Sequence, residues 1–378
     1  MRLLQVAHLK EHVGGPFISV VDLHLAFYSI DNCNSLLVCG DASIQDRINS
    51  INNSKSIKFI FGKESRSSVK QISYKLLESF YTNSKQYDHI HLHGFFILDN
   101  LLMLLICRFR RISVSIQPHG SLMKYEFRKS SKLKAIFISI FLLVVKGMKI
   151  TYVVTSKIEL EQLPSRICKT GKILHLTYQI SEIDLVSDET FPDILPSLSS
   201  PNQINVLFLG RVTPKKNLLF LARAINAVNE TGGNLNLICV GPLEPEEISN
   251  FRLVSELLGS KFHYFGAVYS KQVKKQIFEL SQIFALPSLG ENFGLAALEA
   301  NKAGLYCILS ENIGCIELLN PNTTIVLSEL DLDEWIVELR RAARLCNDNS
   351  RILSDLSTSN TSWNKEAVWF LNFISSSS

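Results

Sequence analysis

Strand-like and helix-like segments alternate twice along this chain, with a break between the two runs. That pattern restricts the fold more than any other feature of the sequence. Before the break, LLQVAHL, NSLLVCG, HIHLHG, ISVSIQPHG and ITYVVTS read as strands, with helical patterns such as FISVVDLHLAFYSI between them. After it, INVLFLG, LNLICVG, HYFGAV, QIFALPS and LYCILS read as strands that alternate with NLLFLARAINAVNE, KQVKKQIFELS and GLAALEANKAG. Such βαβα alternation predicts a parallel sheet with helices on both faces. The break, SDETFPDILPSLSSPNQ, is acidic and rich in Pro and Ser, the composition of a linker. The expected fold class is α/β, with two doubly wound, Rossmann-like domains facing across a cleft: residues 1–186, a linker at 187–203, and residues 204–360. Residues 361–378 are expected to form a C-terminal helix that returns to the first domain and ends in a frayed Ser tail. Ligands of such sheets bind outside the carboxyl ends of the strands, so the cleft is the expected site.

Charge is divided unevenly. Residues 1–180 hold 24 Lys/Arg against 12 Asp/Glu, a net +12, while residues 181–378 hold 15 against 23, a net −8. The first half is therefore expected to meet something anionic: nucleic acid, a membrane or a phosphorylated substrate. The eight cysteines form no C-x-x-C pair, and Cys107, Cys239 and Cys307 sit in apolar runs as small buried hydrophobes. This usage suits a reducing compartment. The opening MRLLQVAHLKEHVGG breaks its short apolar run at His8, Lys10, Glu11 and His12, unlike a secretory leader. No apolar run reaches the ~20 residues of a membrane span.

Five stretches hold residues suited to chemistry. In LGRVTPKKN, Arg211, Lys215 and Lys216 stand between a strand end and a helix start. Cations are unfavourable at a helix N-terminus unless an anion lies between them, so a phosphate is expected there, with a solvated turn as the plain alternative. In HVGGPF, Gly14 and Gly15 open the first helix, either for close approach to a phosphate or as a simple tight turn. HIHLHGFF places His89, His91 and His93 on one strand face, the first two reading as core and His93 as nearer the cleft. In QPHGSL, His119 ends a strand, where it would either donate a hydrogen bond or move a proton near neutral pH, or else serve the turn alone. In LGENFGLAALEANKAG, Glu291 and Glu299 lie eight residues apart, about 12 Å along a helix. Glycosidases hold their carboxylates about 5–9.5 Å apart, so this spacing favours two anchors on one extended ligand over a hydrolytic pair. Asp331-Leu332-Asp333 precedes EWIVELRRAARL and reads as a helix cap, not a metal site.

Taken together, GENFGLAALEA and GRVTPKKN resemble the retaining, GT-B-fold nucleotide-sugar glycosyltransferases of glycosyltransferase family 4. HLHGFF, PHGSL and the early GGP are similar to a bacterial branch that builds surface polysaccharide and O-antigen. The likeness is strongest from Val206 to Ile316. It implies that Glu291, with the backbone of Asn292, Phe293 and Gly294, binds the donor sugar, and that Glu299 binds the ribose hydroxyls. It implies that Arg211 and Lys216 stabilise the leaving diphosphate, that Gly14 and Gly15 approach the diphosphate or the acceptor, and that His119 hydrogen-bonds the donor sugar near the reacting carbon. It further implies a UDP- or GDP-linked donor, no metal and no cofactor, and front-face attack with retention. The acceptor implied is a lipid-linked or free saccharide at the cytoplasmic face of the inner membrane. The run Ala135–Val145, flanked by Lys129, Lys132, Lys134, Lys146 and Lys149, would then dock on anionic lipid; a buried helix with snorkelling lysines is the alternative. A nucleotide-sugar epimerase or sugar phosphorylase of the same fold, and a sugar- or nucleotide-binding protein without turnover, are the other readings. Nucleic acid is not expected, because aromatic residues are not interleaved with the basic ones.

Overall fold

The computed structural model describes residues 1–9, 14–51, 56–61, 72–128, 131–180, 198, 203–328, 330–348 and 362–377. Lys129 and nearly all of the 187–203 linker lie outside them. The chain divides into two compact units, Met1–Ile183 with Asn360–Ser378, and Asp184–Ser359.

The first unit holds β1 (Leu3–His8), β2 (Ser35–Gly40), β3 (Ile57–Phe61), β4 (His89–His93), β5 (Ser113–Gln117), β6 (Ile150–Val154) and β7 (Lys172–His175). They form one parallel sheet in the order β3-β2-β1-β4-β5-β6-β7. Its helices are α1 (Gly14–Ile30), α2 (Ala42–Asn49), α3 (Tyr74–Asn83), α4 (Leu98–Arg110), α5 (Lys124–Arg128), α6 (Ser131–Val145), α7 (Lys157–Gln162) and α8 (Ser165–Cys168). The second unit holds β8 (Ile204–Leu209), β9 (Leu235–Val240), β10 (Phe262–Tyr264), β11 (Ile283–Leu286), β12 (Tyr306–Ser310) and β13 (Thr324–Leu327), again parallel, in the order β10-β9-β8-β11-β12-β13. Its helices are α9 (Leu218–Glu230), α10 (Ile248–Leu258), α11 (Lys271–Leu280), α12 (Leu295–Lys302) and α13 (Leu332–Asp348). Both sheets are doubly wound, as expected. Their strand order reverses at β1/β4 and at β8/β11, where ligands of such sheets bind.

The central strands are buried along nearly their whole length: all six residues of β8 and of β9, and five of six in β1. Burial on both faces is why they read as continuous apolar runs. In the second unit Asp331 caps α13, its Oδ1 accepting from Asp333 N at 2.8 Å and Glu334 N at 3.2 Å. A further helix, α14 (Trp363–Ser377), packs on α1 of the first unit, with the Phe27 and Phe370 rings 5.0 Å apart. The serine tail expected to fray continues this helix to Ser377, and Ser376 Oγ donates to Phe373 O at 2.8 Å.

Helix α6 is neither wholly buried nor wholly exposed. Phe137, Ile138, Phe141, Val144 and Val145 enter the core, while Leu133 (58%), Ile136 (58%), Ile140 (45%) and Leu143 (73%) form an exposed stripe. Positions three and four apart share a helix face, so the stripe is continuous. Phe109 at the end of α4 is 85% exposed, and Arg108 Nη1 donates to Val144 O at 2.9 Å, tying that end of α4 to α6. Among the described residues no helix is long and apolar enough to cross a membrane.

Candidate active site

Four loops at the carboxyl ends of β8, β9, β11 and β12 build the site in the second unit. After β8, Gly210 turns at φ +141°, and Pro214–Lys216 form one 3-10 turn. Asn217 then starts α9 in a left-handed conformation with no side-chain cap. After β11, Glu291 pairs with the loop following β12 through Glu291 N and Asn312 O at 2.6 Å. Helix α12 starts at Gly294, φ +89°, also without a side-chain cap. A Cβ at Gly294 would meet Ile313 Cγ2 at 2.6 Å, so glycine is required for space as well as for conformation. The uncapped N–H groups of α9 and α12 are the donors that anions use at helix N-termini.

The side chain of Lys216 joins these loops. Its Nζ lies 3.3 Å from Glu291 Oε1, and both side chains are largely buried. Ser288 Oγ also donates to Glu291 Oε1 at 3.1 Å, and Leu289 N donates to Lys215 O at 2.8 Å. Burial pushes the Glu291 carboxyl up, but the charges of Lys216 and Lys215 and the Ser288 hydroxyl outweigh it and hold it below its ordinary value. Glu291 is therefore a carboxylate at neutral pH. The sign of the linkage follows. A depressed folded value contributes stability above the unfolded value, about 4.3, and loses it as pH falls through the folded value. The unfolding free energies of wild type and Lys216→Met are thus expected to converge between pH 7 and pH 3, measured by urea titration.

The other expected residues are placed as follows. Arg211 is 45% exposed and pairs with Glu244, Nη1 to Oε1 at 3.3 Å, instead of reaching the Lys216–Glu291 pair. Glu299 on α12 pairs with Lys274 on α11, its two oxygens 3.0 and 3.3 Å from Nζ. Phe293 is buried, and Asn292 lies in the same loop. Gly14 and Gly15 open α1 in the first unit. Lys274, Ser288, Glu244 and the strand-end glycines Gly210 and Gly241 escaped the sequence reading. The glycines had a signal, since FLGR and CVGP each follow an apolar strand. A cavity of about 350 Å³ lies elsewhere, at the amino-terminal edge of the first sheet, and is lined by His89, Ser113, Met148, Lys149 and Lys172 among others.

His119 belongs to the first unit, in a turn after β5 at φ +53°. The turn is pinned by Glu159, whose Oε1 accepts from Gly120 N at 2.6 Å and whose Oε2 accepts from Thr155 N at 2.8 Å. Both ring nitrogens of His119 are engaged: Nε2 lies 3.0 Å from His93 Nδ1, and Nδ1 lies 2.6 Å from the Tyr178 hydroxyl. Burial pushes its pKa down to about 3, so the ring is neutral at pH 7 and does not titrate near neutrality. His93, expected nearer to solvent, is 3% exposed. It sits on a central strand whose face is covered by α14, where Phe370 packs 5.1 Å from His91.

Comparison with known proteins agrees with this architecture. Residues 203–344, within the second unit, match the family model described as Glycosyl transferases group 1. The crystal structure of Anabaena HepE in complex with UDP and glucose has a TM-score of 0.73 at 13% identity, covering 99% of this chain and 99% of that one. The fold is thus that of the GT-B glycosyltransferase structures. An Escherichia coli UDP-Gal:alpha-D-GlcNAc-diphosphoundecaprenol alpha-1,3-galactosyltransferase is 29% identical over 164 residues, 41% of this chain and 38% of that protein. A "Probable sucrose-phosphate synthase" of Thermosipho melanesiensis is 28% identical over 183 residues, 46% of this chain and 41% of that protein. The chain spans less than half the length of these curated relatives.

Proposed function

We propose that this chain is a retaining glycosyltransferase that moves a sugar from a UDP- or GDP-linked donor to a lipid-linked saccharide in surface-polysaccharide or O-antigen synthesis. The observation that carries the reading is the Lys216–Glu291 pair, set beside two helix N-termini that no side chain caps. A nucleoside diphosphate is an anion that Lys216 and these helix N–H groups can bind together. Lys216 and the helix N–H groups stabilise the departing diphosphate, and Arg211 joins them on release from Glu244, so that these groups take the role a metal would otherwise fill. Glu291, freed from Lys216 as phosphate enters, accepts from sugar hydroxyls, and Glu299 does the same for the ribose. The acceptor oxygen bonds to the anomeric carbon on the face from which the diphosphate leaves, the carbon–phosphate-oxygen bond breaks, and the acceptor proton passes to the departing phosphate. The neighbour with UDP and glucose bound favours the uridine donor.

A thermal-shift screen of UDP-, GDP-, ADP- and CMP-sugars tests the donor site. A ligand at a hundred times its Kd adds about 2.7 kcal/mol to the folded state. The UDP-sugar is expected to raise Tm most, with EDTA making no difference; a flat response to all four would sink the reading.

The acceptor reading rests on the exposed stripe of α6 and its basic surroundings, which match a surface of anionic lipid. Ile136→Glu with Leu143→Glu is expected to abolish co-sedimentation with phosphatidylglycerol vesicles while leaving Tm unchanged, since both side chains face solvent. Undiminished sedimentation would reject membrane docking. The relative whose substrate name includes a diphosphoundecaprenol carrier supports this reading.

A further inference from the structure

We infer that the cavity at the amino-terminal edge of the first sheet binds a small soluble phosphate monoester through Lys149, Lys172 and the Thr151 hydroxyl, and that the bound ester fastens the end of α14 to the sheet. The cavity lies at the opposite end of the strands from Gly14 and the His119 turn, and the proposed transfer uses none of its residues.

Strand register sets its polar lining. His89 pairs with Ser113, Ser115 with Thr151, and Thr151 with Lys172. Side chains alternate between the faces of a strand, so His89, Ser113, Thr151 and Lys172 share one face. It is the face that α14 covers, with Phe370 6.2 Å from His89 and Ile374 one helical turn further on, at the cavity. His89 serves as a wall and not as a ligand, because both ring nitrogens are engaged, 2.8 Å from Ser113 Oγ and 2.8 Å from Ser115 Oγ. Burial also pushes its pKa down to about 3, so it brings no charge. Thr151 differs. It is 5% exposed, and its hydroxyl has no hydrogen-bond partner among the described residues. A buried hydroxyl without a partner is costly, and a ligand in the cavity would supply one.

The surroundings select an anion. The loops into β5, β6 and β7 carry Arg111, Lys146, Lys149 and Lys169, Lys172 begins β7, and no Asp or Glu stands in those loops. Part of this charge faces the carbonyl ends of helices, which attract cations. For α6, however, Arg108 already takes that role, donating to Val144 O at 2.9 Å and also to Lys146 O. Lys149 and Lys172 line the cavity itself, and among the described residues no acidic side chain does. Two ammonium groups and a hydroxyl suit the oxygens of a phosphate. About 350 Å³ is at the small end of ligand sites, room for a phosphate with a short organic group against Met148 and Ile374. A soluble ester fits better than a lipid headgroup. The α6 helix, whose stripe is exposed, packs on the other face of the sheet, with Phe141 6.4 Å from Tyr152. Because α14 follows the second unit in sequence, an ester held between it and the loops into β6 and β7 closes the first unit.

Isothermal titration of the full chain with glucose 6-phosphate and with inorganic phosphate tests the site. Both are run in wild type and in Lys216→Met, so the outcome is independent of the donor site. Glucose 6-phosphate is expected to bind the two proteins alike, and more tightly than phosphate does. Lys149→Gln with Lys172→Gln, and separately the isosteric Thr151→Val, are each expected to weaken it about tenfold or more. Lys146→Gln with Lys169→Gln, on the same edge but outside the lining, is expected to change the affinity by no more than about twofold. In hydrogen exchange, glucose 6-phosphate is expected to slow the amides of α14 in wild type and not in the Lys149/Lys172 variant. Absence of binding, its loss in Lys216→Met, or equal weakening by both lysine pairs would each overturn the inference. Co-sedimentation with phosphatidylglycerol vesicles that requires Lys149 and Lys172, without binding of the soluble ester, would assign the cavity to a lipid headgroup and overturn it too.

Discussion

Replacing Lys216 by Met is expected to lower kcat/KM for the donor by about 10²–10³-fold, roughly 3–4 kcal/mol of transition-state stabilisation. The Met side chain is of similar length and keeps the packing along the Lys216 stem. It removes the charge that ion-pairs with Glu291 beside the N-terminus of α9. In the proposed mechanism negative charge develops there as the diphosphate leaves, in a loop region partly shielded from water, where a fixed cation is worth more than in solution. The effect is expected in kcat as much as in KM, because the interaction strengthens as the bond to the sugar breaks. Steady-state kinetics of the two proteins at saturating acceptor decide it. A loss below tenfold would remove Lys216 from the diphosphate site.

The second large effect separates two glycines that touch. Gly210 ends β8 and Gly241 ends β9, at φ +141° and +139°. A Cβ at Gly210 would lie 2.6 Å from Lys216 Nζ, the movable end of a side chain. A Cβ at Gly241 would overlap the Gly210 carbonyl, which is fixed backbone. Gly241→Ala is therefore expected to destabilise the protein by on the order of 3–5 kcal/mol, the strained dihedral and the overlap contributing about 1–3 kcal/mol each. Gly210→Ala carries only the dihedral cost, about 1–3 kcal/mol, yet it pushes Lys216 off Glu291. Its expected signature is a folded protein whose response to UDP-sugar in thermal shift is lost. Denaturant titration alongside the ligand screen distinguishes the two, and equal destabilisation by both would show the Lys216 contact to be irrelevant.

The strands that the sequence reading missed share one physical feature, which β10, an edge strand it found, shares too. The missed ones, β3, β7 and β13, are all sheet-edge strands. Their burial alternates or is partial, as in IKFIF and TIVL, so they lack the unbroken apolar run that marks a strand covered on both faces. The site divides similarly. Lys216 and Glu291 were legible because each stands where a strand ends and a helix begins, a position that itself suggests an anion site. The partnership of Glu299 with Lys274 was not legible, since it joins two helices across 25 residues of sequence. His119 was legible as a residue at a strand end, but its protonation state depends on Gln5, His93 and Tyr178, which only the folded sheet brings beside it.

The pairing of α14 with α1 has a consequence for how the protein is made. The first unit is interrupted: the whole second unit is translated between its two parts. At 5–20 residues per second, about 10–35 s pass between emergence of Ile183 and emergence of α14. During that interval the face of α1 that holds Phe27, and the sheet face that holds His89 and His91, lack the cover that Phe370 provides. The second unit, encoded without a break, has every strand of its sheet before the first unit can close. Order of synthesis and order of completion are thus reversed in this chain, and an exposed aromatic and histidine surface is the part of the nascent protein that waits longest for its partner.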